Sequence, residues 1–370
     1  MSTATPRLRD AVRALFSRDG GGRDERSLET LALGAGTVAF VAAALVALLA
    51  FGLDPAPIAG DGSIGQFAAV AAGIVAVLAF VGGRIVVGVR AGVGRVRLHV
   101  LDVVDVLALA FAHAVIAVLT WTLLAVIMER SFIDAEVFTV PLLLLAGTVA
   151  AMTAYVVFFS ATHMDLQLLA VVLAVFLAEG VMASMLTAND PHWWKDNLSA
   201  LGMTTETSSL TFNLTLIVAG IVVTTLARYA TRGIPTADPR GTRWVRLALV
   251  LVGVLLGLVG VFPVDRFFLL HTGFASGMAV VFGVLVIMIH WLVPGLSRAF
   301  IGLGWIFVAV IAGLAILFAA GVYTLTAVEL VAGILVFAWI VLFIRNAAAL
   351  QQDVDPEAVR DAAGMPGLAV

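Results

Sequence analysis

The sequence predicts an all-α, polytopic membrane protein with about ten transmembrane helices. Hydrophobic residues make up 62% of its 370 positions. A water-soluble core does not need that much apolar surface, so the bilayer must solvate most of the chain. The apolar residues also fall into ten runs, each of about 18–25 residues, which is the length that a helix needs to cross a bilayer. Continuous runs exclude a transmembrane β-barrel, whose strands alternate apolar and polar residues.

The first predicted element is a basic cytoplasmic segment, residues 1–30. Apolar residues recur at helical spacing within Arg7–Arg26. This pattern favours a short helix that lies on the inner leaflet with its arginines toward anionic headgroups. A disordered tail whose arginines only set the topology explains the same residues.

The transmembrane part divides into four predicted spans in residues 31–160 and six in residues 161–348, and a cytoplasmic tail follows at 349–370. The predicted spans are Leu31–Leu53, Gln66–Gly83, Val103–Met128, Val137–Ser160, Leu166–Thr187, Leu210–Tyr229, Val245–Phe262, Phe267–Val293, Phe300–Gly321 and Ala327–Ile344.

The positive charges predict the orientation of these spans. Of the 21 lysines and arginines, all but Arg130, Lys195 and Arg266 fall in segments on one side of the membrane. The positive-inside rule makes that side cytoplasmic and places both termini there. The composition, rich in alanine, valine and arginine with a single lysine, suggests a bacterial protein. We therefore predict a multi-pass protein of the inner, or plasma, membrane.

The chain has no cysteine, which excludes disulfides, thiolate nucleophiles, iron–sulfur clusters and cysteine-bound zinc. We expect membrane lipids, and no nucleic acid, as partners. Glycine pairs at small-xxx-small spacing allow close helix approach and a homo-oligomer through small-residue faces. These pairs are Gly88/Gly92, Gly253/Gly257 and Gly273/Gly277.

The best candidate for a functional site is the outer loop between the fifth and sixth spans. Residues 189–202 hold acids, an imidazole, an amine, a hydroxyl and two indoles, among them His192, Trp193, Trp194, Asp196 and Ser199. Long loops are often functional. The alternative is an interfacial anchor, with the tryptophans at headgroup depth and the charges solvated.

A second outer group contains Asp265 and, one to two turns into the membrane, His271. Glu179 and Glu329 fall in the outer parts of the fifth and tenth spans, so these residues could converge with Asp196 and Ser199 on one cavity. Ionisable residues inside a bilayer are costly, and we therefore predict that His271 and Glu179 face the protein interior.

Two chemistries suit such a cavity. Ser199, with His271 and one of the aspartates Asp196 and Asp265, could carry out nucleophilic acyl transfer. A divalent metal is conceivable instead, with His192, Asp196, Asp265 and His271 as ligands. Neither set has a diagnostic spacing. A hydrogen-bonded polar knot that holds helices together explains the same residues, and then no cofactor is needed.

A further polar group belongs to the inner half of the third span. His99, Asp102 and His113 share one face at 100° per residue. Helix capping explains Asp102, Asp105 and Asp165 without a function. His113 lies near mid-membrane and has no such explanation.

The residues Asn197-Leu198-Ser199-Ala200-Leu201-Gly202, then Asn213, Gly260-Val261-Phe262-Pro263 and His271, resemble a bacterial and archaeal membrane family of unknown function, numbered nine-nine-eight. The resemblance covers residues 165–345 and implies a six-helix module. That family is similar in turn to the eukaryotic Frag/DRAM/Sfk membrane proteins, one branch of which takes part in lipid remodelling of glycolipid anchors. The resemblance implies motif positions at Ser199, Gly202, Asn213, Pro263 and His271 without assigning them a catalytic role, and it points toward lipids.

The sequence leaves three functional classes open. The first is the handling of a lipid or lipid-linked substrate by acyl transfer or hydrolysis at an outer-leaflet site. The second is secondary transport of a small solute or ion by two inverted five-helix halves, although no proline sits in the middle of a span. The third is a non-catalytic assembly or sensor protein.

Overall fold

The computed structural model describes residues 21–90, 100–203, 207–231, 234 and 239–362. Ten helices in these ranges are long and apolar enough to cross a membrane, which confirms the predicted polytopic helical bundle. The chain forms two compact units, Met1–Met164 and Asp165–Val370. Most of the predicted Arg7–Arg26 helix, and His99, lie outside the described residues.

The first unit contains four long helices and one short β-bridge. Its helices are α1 (Gly21–Phe51), α2 (Ile64–Arg90), α3 (Val100–Ser131) and α4 (Thr139–Thr162). The strands β1 (Ala56–Pro57) and β2 (Glu136–Val137) pair antiparallel, with Ala56 opposite Val137. Helix α4 packs against α1 and α2, and α3 packs against α2.

Two arginines that we expected in an inner loop belong to helix α2 instead. The Arg84 guanidinium donates to the carbonyl of Ala161 at 3.2 Å, and that of Arg90 donates to the Ser27 hydroxyl at 2.7 Å. Ala161 is in the last turn of α4, where carbonyls lack helical partners and cations are favoured. These contacts let α2 continue beyond the predicted end at Gly83.

The second unit consists of six helices that contact one another in chain order. They are α5 (Leu166–Leu186), α6 (Thr207–Ala230), α7 (Pro239–Val261), α8 (Phe268–Leu292), α9 (Arg298–Ala319) and α10 (Leu325–Ala362). Helix α10 also packs against α5 and so closes the set. Helix α10 runs past the predicted span, into the segment that we expected to be a tail.

Helices α6 and α7 approach each other along glycines. A Cβ added at Gly253 would lie 2.7 Å from the Gly220 carbonyl oxygen and 2.6 Å from the Thr224 hydroxyl, and one at Gly260 would collide with the Asn213 carbonyl. Backbones this close need residues without side chains. The predicted Gly253/Gly257 pair therefore packs inside the unit.

The α8–α10 part of the unit is packed around Trp339, which is fully buried. Its indole lies 5.5 Å from the Phe282 ring, 5.3 Å from the Phe300 ring and 5.6 Å from the Phe343 ring, measured between centroids. Helices α8, α9 and α10 each contribute to this cluster. Aromatic rings at these separations add to the stability that burial provides.

Candidate active site

Two short 3-10 turns, Trp193–Lys195 and Leu198–Gly202, lie between α5 and α6. We call the end of the second unit that carries them the site end, and the charge distribution predicts that it faces outward. The second turn is held from two directions. Its first N–H, of Leu198, donates to Oε2 of Glu329 on α10 at 2.6 Å.

The other end of this turn is held by α6. The Ser208 hydroxyl donates to the Leu201 carbonyl at 3.2 Å, and the Ser209 hydroxyl and the Asn213 amide donate to the Gly202 carbonyl at 3.0 and 3.1 Å. Gly202 fits against Asn213 because a Cβ there would lie 2.6 Å from the Asn213 Oδ1. These bonds fix the backbone on both sides of Ser199.

Ser199 and His271 form a hydrogen-bonded pair. The Ser199 Oγ lies 2.9 Å from Nε2 of His271, and the two residues are 8% and 5% exposed. Helix α8 begins at Phe268, so His271 is in its first turn. The pair therefore sits at the helix ends, shielded from solvent.

The second ring nitrogen of His271 fixes the direction of this bond. Nδ1 lies 2.8 Å from the carbonyl oxygen of Phe262, which follows the last residue of α7. A carbonyl only accepts hydrogen bonds, so Nδ1 must carry the proton. In the neutral ring, Nε2 is then unprotonated and accepts the hydrogen bond from the Ser199 hydroxyl.

Aromatic packing holds the carbonyl in place. The ring of Phe262 lies 5.3 Å from that of Phe267 and 5.5 Å from that of Phe274. Phe267 and Phe274 are close to His271 in the chain. Phe262, which supplies the carbonyl, and helix α8, which carries the imidazole, are therefore joined by one aromatic cluster.

The surroundings of the pair are apolar and exposed. Phe268, Leu269 and Leu270 at the start of α8 are 64%, 84% and 47% exposed, and Trp194 in the neighbouring turn is 48% exposed. In a membrane such side chains contact lipid, and tryptophan favours the headgroup level. The Ser199–His271 pair thus adjoins a lipid-facing surface.

Comparison with known proteins identifies this unit. Residues 168–346 match the model of a family described as protein of unknown function (DUF998). This part of the chain belongs to that family. The DUF998 module takes in helices α5 to α9 and the transmembrane part of α10, whereas α1–α4 lie outside it. No curated protein and no solved structure matches the chain.

The residues on which we based the family resemblance lie at this site. Gly202 and Asn213 hold the turn that carries Ser199, Gly260 contacts the backbone of Asn213, and Phe262 provides the carbonyl that bonds His271. The segments that carry the resemblance are therefore in mutual contact.

The predicted aspartates do not complete a Ser–His–Asp triad. The acid of a triad bonds the histidine Nδ1, and here the Phe262 carbonyl occupies that position. Asp196 and Asp265 are both exposed residues. The Asp265 carboxylate lies 4.0 Å from Nε of Arg266, also exposed.

The predicted metal ligands are also not brought together. His192 is exposed and its Nδ1 lies 3.7 Å from the Asp190 carboxylate. Both ring nitrogens of His271 are hydrogen-bonded within the protein. In the part of the chain that the structure describes, no group of three or more histidine, aspartate or glutamate side chains could hold a metal ion. The residues His192, Asp196, Asp265 and His271 do not form such a group among the described residues.

The intramembrane polar residues have different environments. His271 is buried, as we predicted, and Glu179 on α5 is half-buried. Asp165 caps α5 by accepting from the Leu168 N–H at 2.7 Å, which confirms the capping interpretation for that residue. Asp105 lies beyond the first turn of α3 and is buried, so capping does not explain it.

His113 forms a similar pair in the first unit. Its Nδ1 lies 2.7 Å from the Leu109 carbonyl, its Nε2 lies 2.9 Å from the Ser160 hydroxyl, and its ring centroid lies 4.7 Å from that of Phe80. Ser160 belongs to a continuous helix, whereas Ser199 belongs to a turn at helix ends. The geometry of the His113 pair is that of a polar link between α3 and α4.

Sequence reasoning missed Ser208, Ser209, Ser160 and the Phe262 carbonyl. A signal was present for the first two, because hydroxyl residues directly before an apolar run are typical of a helix start with side-chain bonds to nearby backbone. The Ser160 partnership depends on how α3 and α4 pair, and a backbone carbonyl has no sequence signature.

Proposed function

We propose that the DUF998 module of this protein is a serine acyltransferase or hydrolase that acts on a membrane lipid or lipid-linked ester at the site end. The observation that carries this proposal is the chain of bonds from the Ser199 hydroxyl to His271 Nε2, and from His271 Nδ1 to the Phe262 carbonyl. This is the arrangement of an activated nucleophile, a base and a group that orients the base.

In the proposed reaction, Ser199 Oγ attacks the carbonyl carbon of the substrate ester while its proton moves to His271 Nε2. The tetrahedral intermediate then collapses, the ester C–O bond breaks, and His271 returns the proton to the leaving alcohol. Water or an acceptor alcohol next attacks the acyl-serine, again with His271 as the base, and releases the acyl product. The Phe262 carbonyl stabilises the transient imidazolium through its bond with Nδ1.

The developing oxyanion needs a hydrogen-bond donor, and Asn197 is suited to this role. It occupies the N-cap of the Leu198–Gly202 turn, yet its side chain makes no capping bond. Glu329 takes the Leu198 N–H instead. Among the described residues, the buried Asn197 Oδ1 has no hydrogen-bond partner. Because rotation by 180° exchanges the amide oxygen and nitrogen, the same position can present an N–H donor.

The position of the pair supports a lipid substrate. Ser199 is at the level where helices begin and end, beside exposed apolar residues of α8, so the ester region of a bilayer lipid is the nearest source of acyl groups. The similarity that we expect between this family and the Frag/DRAM/Sfk proteins points in the same direction.

The two alternative functions, secondary transport and membrane assembly, have less support. A transporter with broken helices needs an interruption near the middle of the membrane, whereas each of the ten described spans is one continuous helix. An assembly protein that uses small-residue faces loses one of its three candidate pairs, since Gly253 packs against Gly220 inside the unit.

The test is covalent labelling of the purified full-length protein in lipid nanodiscs by a fluorophosphonate with a long alkyl tail. We expect phosphonylation of Ser199, identified by peptide mass spectrometry. Ser199→Ala and His271→Ala should abolish labelling, while Ser160→Ala, which removes the hydroxyl of the similar pair, should not. Absence of adduct at Ser199, or an adduct rate that His271→Ala leaves unchanged, would refute the proposal.

A further inference from the structure

Two basic side chains, Lys195 and Arg266, lie close in the chain to the Ser199–His271 pair. Lys195 is four positions before Ser199, and Arg266 is five positions before His271. The connecting segments at the site end, residues 187–206, 262–267 and 320–324, contain no other lysine or arginine. Membrane proteins concentrate basic residues on the cytoplasmic side, so the topology that we predict does not account for these two.

Arg266 belongs to the turn that also supplies the partner of His271. Its backbone N–H donates to the Pro263 carbonyl at 3.3 Å. Pro263 directly follows Phe262, whose carbonyl oxygen lies 2.8 Å from His271 Nδ1. The Phe262 ring also lies 5.3 Å from the ring of Phe267, the residue after Arg266. Arg266 is therefore part of the same short turn that orients the imidazole.

Lys195 belongs to the turn beside the one that carries Ser199. It ends the turn Trp193–Lys195, which packs against the turn Leu198–Gly202. Its Nζ lies 5.8 Å from the centroid of the Trp194 ring. Because an exposed tryptophan favours the headgroup level of a membrane, we expect the ammonium group of Lys195 at the depth of the lipid phosphates.

Neither cation is held by a strong ion pair. Within the described part of the chain, Lys195 forms no ion pair with a carboxylate. The Nε of Arg266 lies 4.0 Å from the Asp265 carboxylate, which is longer than a hydrogen bond, and an exposed pair of this kind contributes little. The guanidinium therefore keeps its donors for a ligand, and its planar fork matches two oxygens of a phosphate.

A glycerophospholipid carries both of the groups that these residues suit. Its acyl esters and its phosphate are attached to one glycerol, so an ester beside Ser199 places the phosphate a few bonds away, toward the headgroup level. A diacylglycerol has the same esters without the phosphate. Exposed aspartates occur in the same two segments as the cations, at positions 190, 196 and 265. A zwitterionic headgroup therefore suits this surface better than one with additional negative charge.

We infer that Lys195 and Arg266 bind the phosphate of a zwitterionic glycerophospholipid, such as phosphatidylethanolamine, whose ester lies at Ser199. The inference rests on the proposed function for the position of the ester, and it names the substrate class of that reaction. Binding of the phosphate by the two cations is a separate property, which can be measured without any reaction.

The test is protection of Ser199 from the fluorophosphonate by added lipid. The full-length protein is kept in micelles of an uncharged maltoside detergent, because the lipids of a nanodisc would themselves supply phosphates. We expect dioleoyl phosphatidylethanolamine to halve the labelling rate at a concentration about three- to tenfold below that of dioleoylglycerol, as two exposed ion pairs would give. Equal protection by the two lipids would overturn the inference. Equal protection by inorganic phosphate would also overturn it, because the site would then bind anions without selecting a lipid.

Variants show whether the two cations supply this preference. In Lys195→Gln/Arg266→Gln, with each rate compared with that of the same variant without lipid, the preference for phosphatidylethanolamine should disappear. Lys195→Arg/Arg266→Lys keeps both charges and should keep most of the preference. Arg130→Gln is the matched control, since Arg130 is the third basic residue that we predict on the outer side, is exposed, and belongs to the other unit. A preference that survives in the double glutamine variant, or that Arg130→Gln reduces equally, would contradict the inference.

Photo-crosslinking from the headgroup separates this inference from the proposed reaction. Phosphatidylethanolamine with a diazirine attached to its headgroup should form adducts in residues 193–202 and 262–268, and Ser199→Ala should retain them. Lys195→Gln/Arg266→Gln should reduce these adducts several-fold. Such adducts without any fluorophosphonate labelling of Ser199 would mean that the phosphate site exists and the proposed enzyme activity does not. Labelling of Ser199 with no preference for phosphatidylethanolamine would mean the reverse.

Discussion

The carboxylate of Glu329 accepts a hydrogen bond from the backbone N–H of Leu198 at 2.6 Å, across 131 positions of the chain. It thereby ties the turn that carries Ser199 to α10. It also replaces Asn197 as the cap of that turn, so the Asn197 side chain makes no capping bond. A hydrogen bond contributes about 0.5–1.5 kcal/mol to stability, and more when one partner is charged.

Removal of the Glu329 carboxylate should loosen the turn and slow the reaction of Ser199. We expect Glu329→Ala to lower the fluorophosphonate labelling rate by about tenfold or more, which corresponds to about 1.4 kcal/mol or more of lost positioning. Glu329→Gln keeps an acceptor oxygen and should restore most of the rate. A purely structural role would instead lower the thermal unfolding temperature of both variants without changing the labelling rate of the folded protein.

Asn197→Ala tests the oxyanion donor. Because Asn197 makes no capping bond, its removal should leave the unfolding temperature almost unchanged. The acylation rate of Ser199 should fall by about 10²–10³, as expected for the loss of one such donor. An unchanged rate, or a loss of rate that merely follows a loss of stability, would remove Asn197 from the mechanism.

Features that depend on local sequence were predictable, whereas contacts between residues distant in the chain were not. The ten spans were predictable because each is a local property, a run of apolar residues bounded by polar ones. That Ser199 and His271 belong to the same end of the module followed from counting spans. Their 2.9 Å contact did not, since it depends on how α6, α7 and α8 pack.

The part of the site that the sequence did not predict is made of backbone atoms. One of the chemistries that we considered places an aspartate beside the imidazole, because a sequence shows side chains and not backbone contacts. The Phe262 carbonyl takes that position, and any residue type could supply it. The Trp339 cluster was missed for a related reason, since it joins three helices whose pairing no local pattern encodes.

The His113–Ser160 link should matter for stability and not for the reaction at Ser199. We expect Ser160→Ala to cost about 0.6–2 kcal/mol, the range of hydrogen bonds between membrane helices. His113→Ala should cost more, because the ring also packs on Phe80 and its loss leaves a cavity. Thermal unfolding in nanodiscs measures both costs. A lowered fluorophosphonate rate at Ser199 in either folded variant would contradict this assignment.

The orientation remains a prediction from the arginine distribution. Because the chain has no cysteine, a single introduced cysteine can be labelled without background. Asp61→Cys, at an exposed position in the loop between α1 and α2, should react with an impermeant maleimide in intact cells. Thr236→Cys, in the basic segment between α6 and α7, should react only after permeabilisation. The opposite labelling pattern would mean that the predicted orientation in the membrane is reversed.

The glycine contacts between α6 and α7 have a consequence for how this module can vary. Asn213, which holds the Ser199 turn, and Phe262, which orients His271, sit on the two backbones that Gly220, Gly253 and Gly260 bring together. A methyl group at any of these glycines would push apart a serine and a histidine that are 72 positions distant in the chain. Mutational scans of reactivity should therefore find these glycines, which carry no functional group, as sensitive to substitution as the Ser199–His271 pair itself.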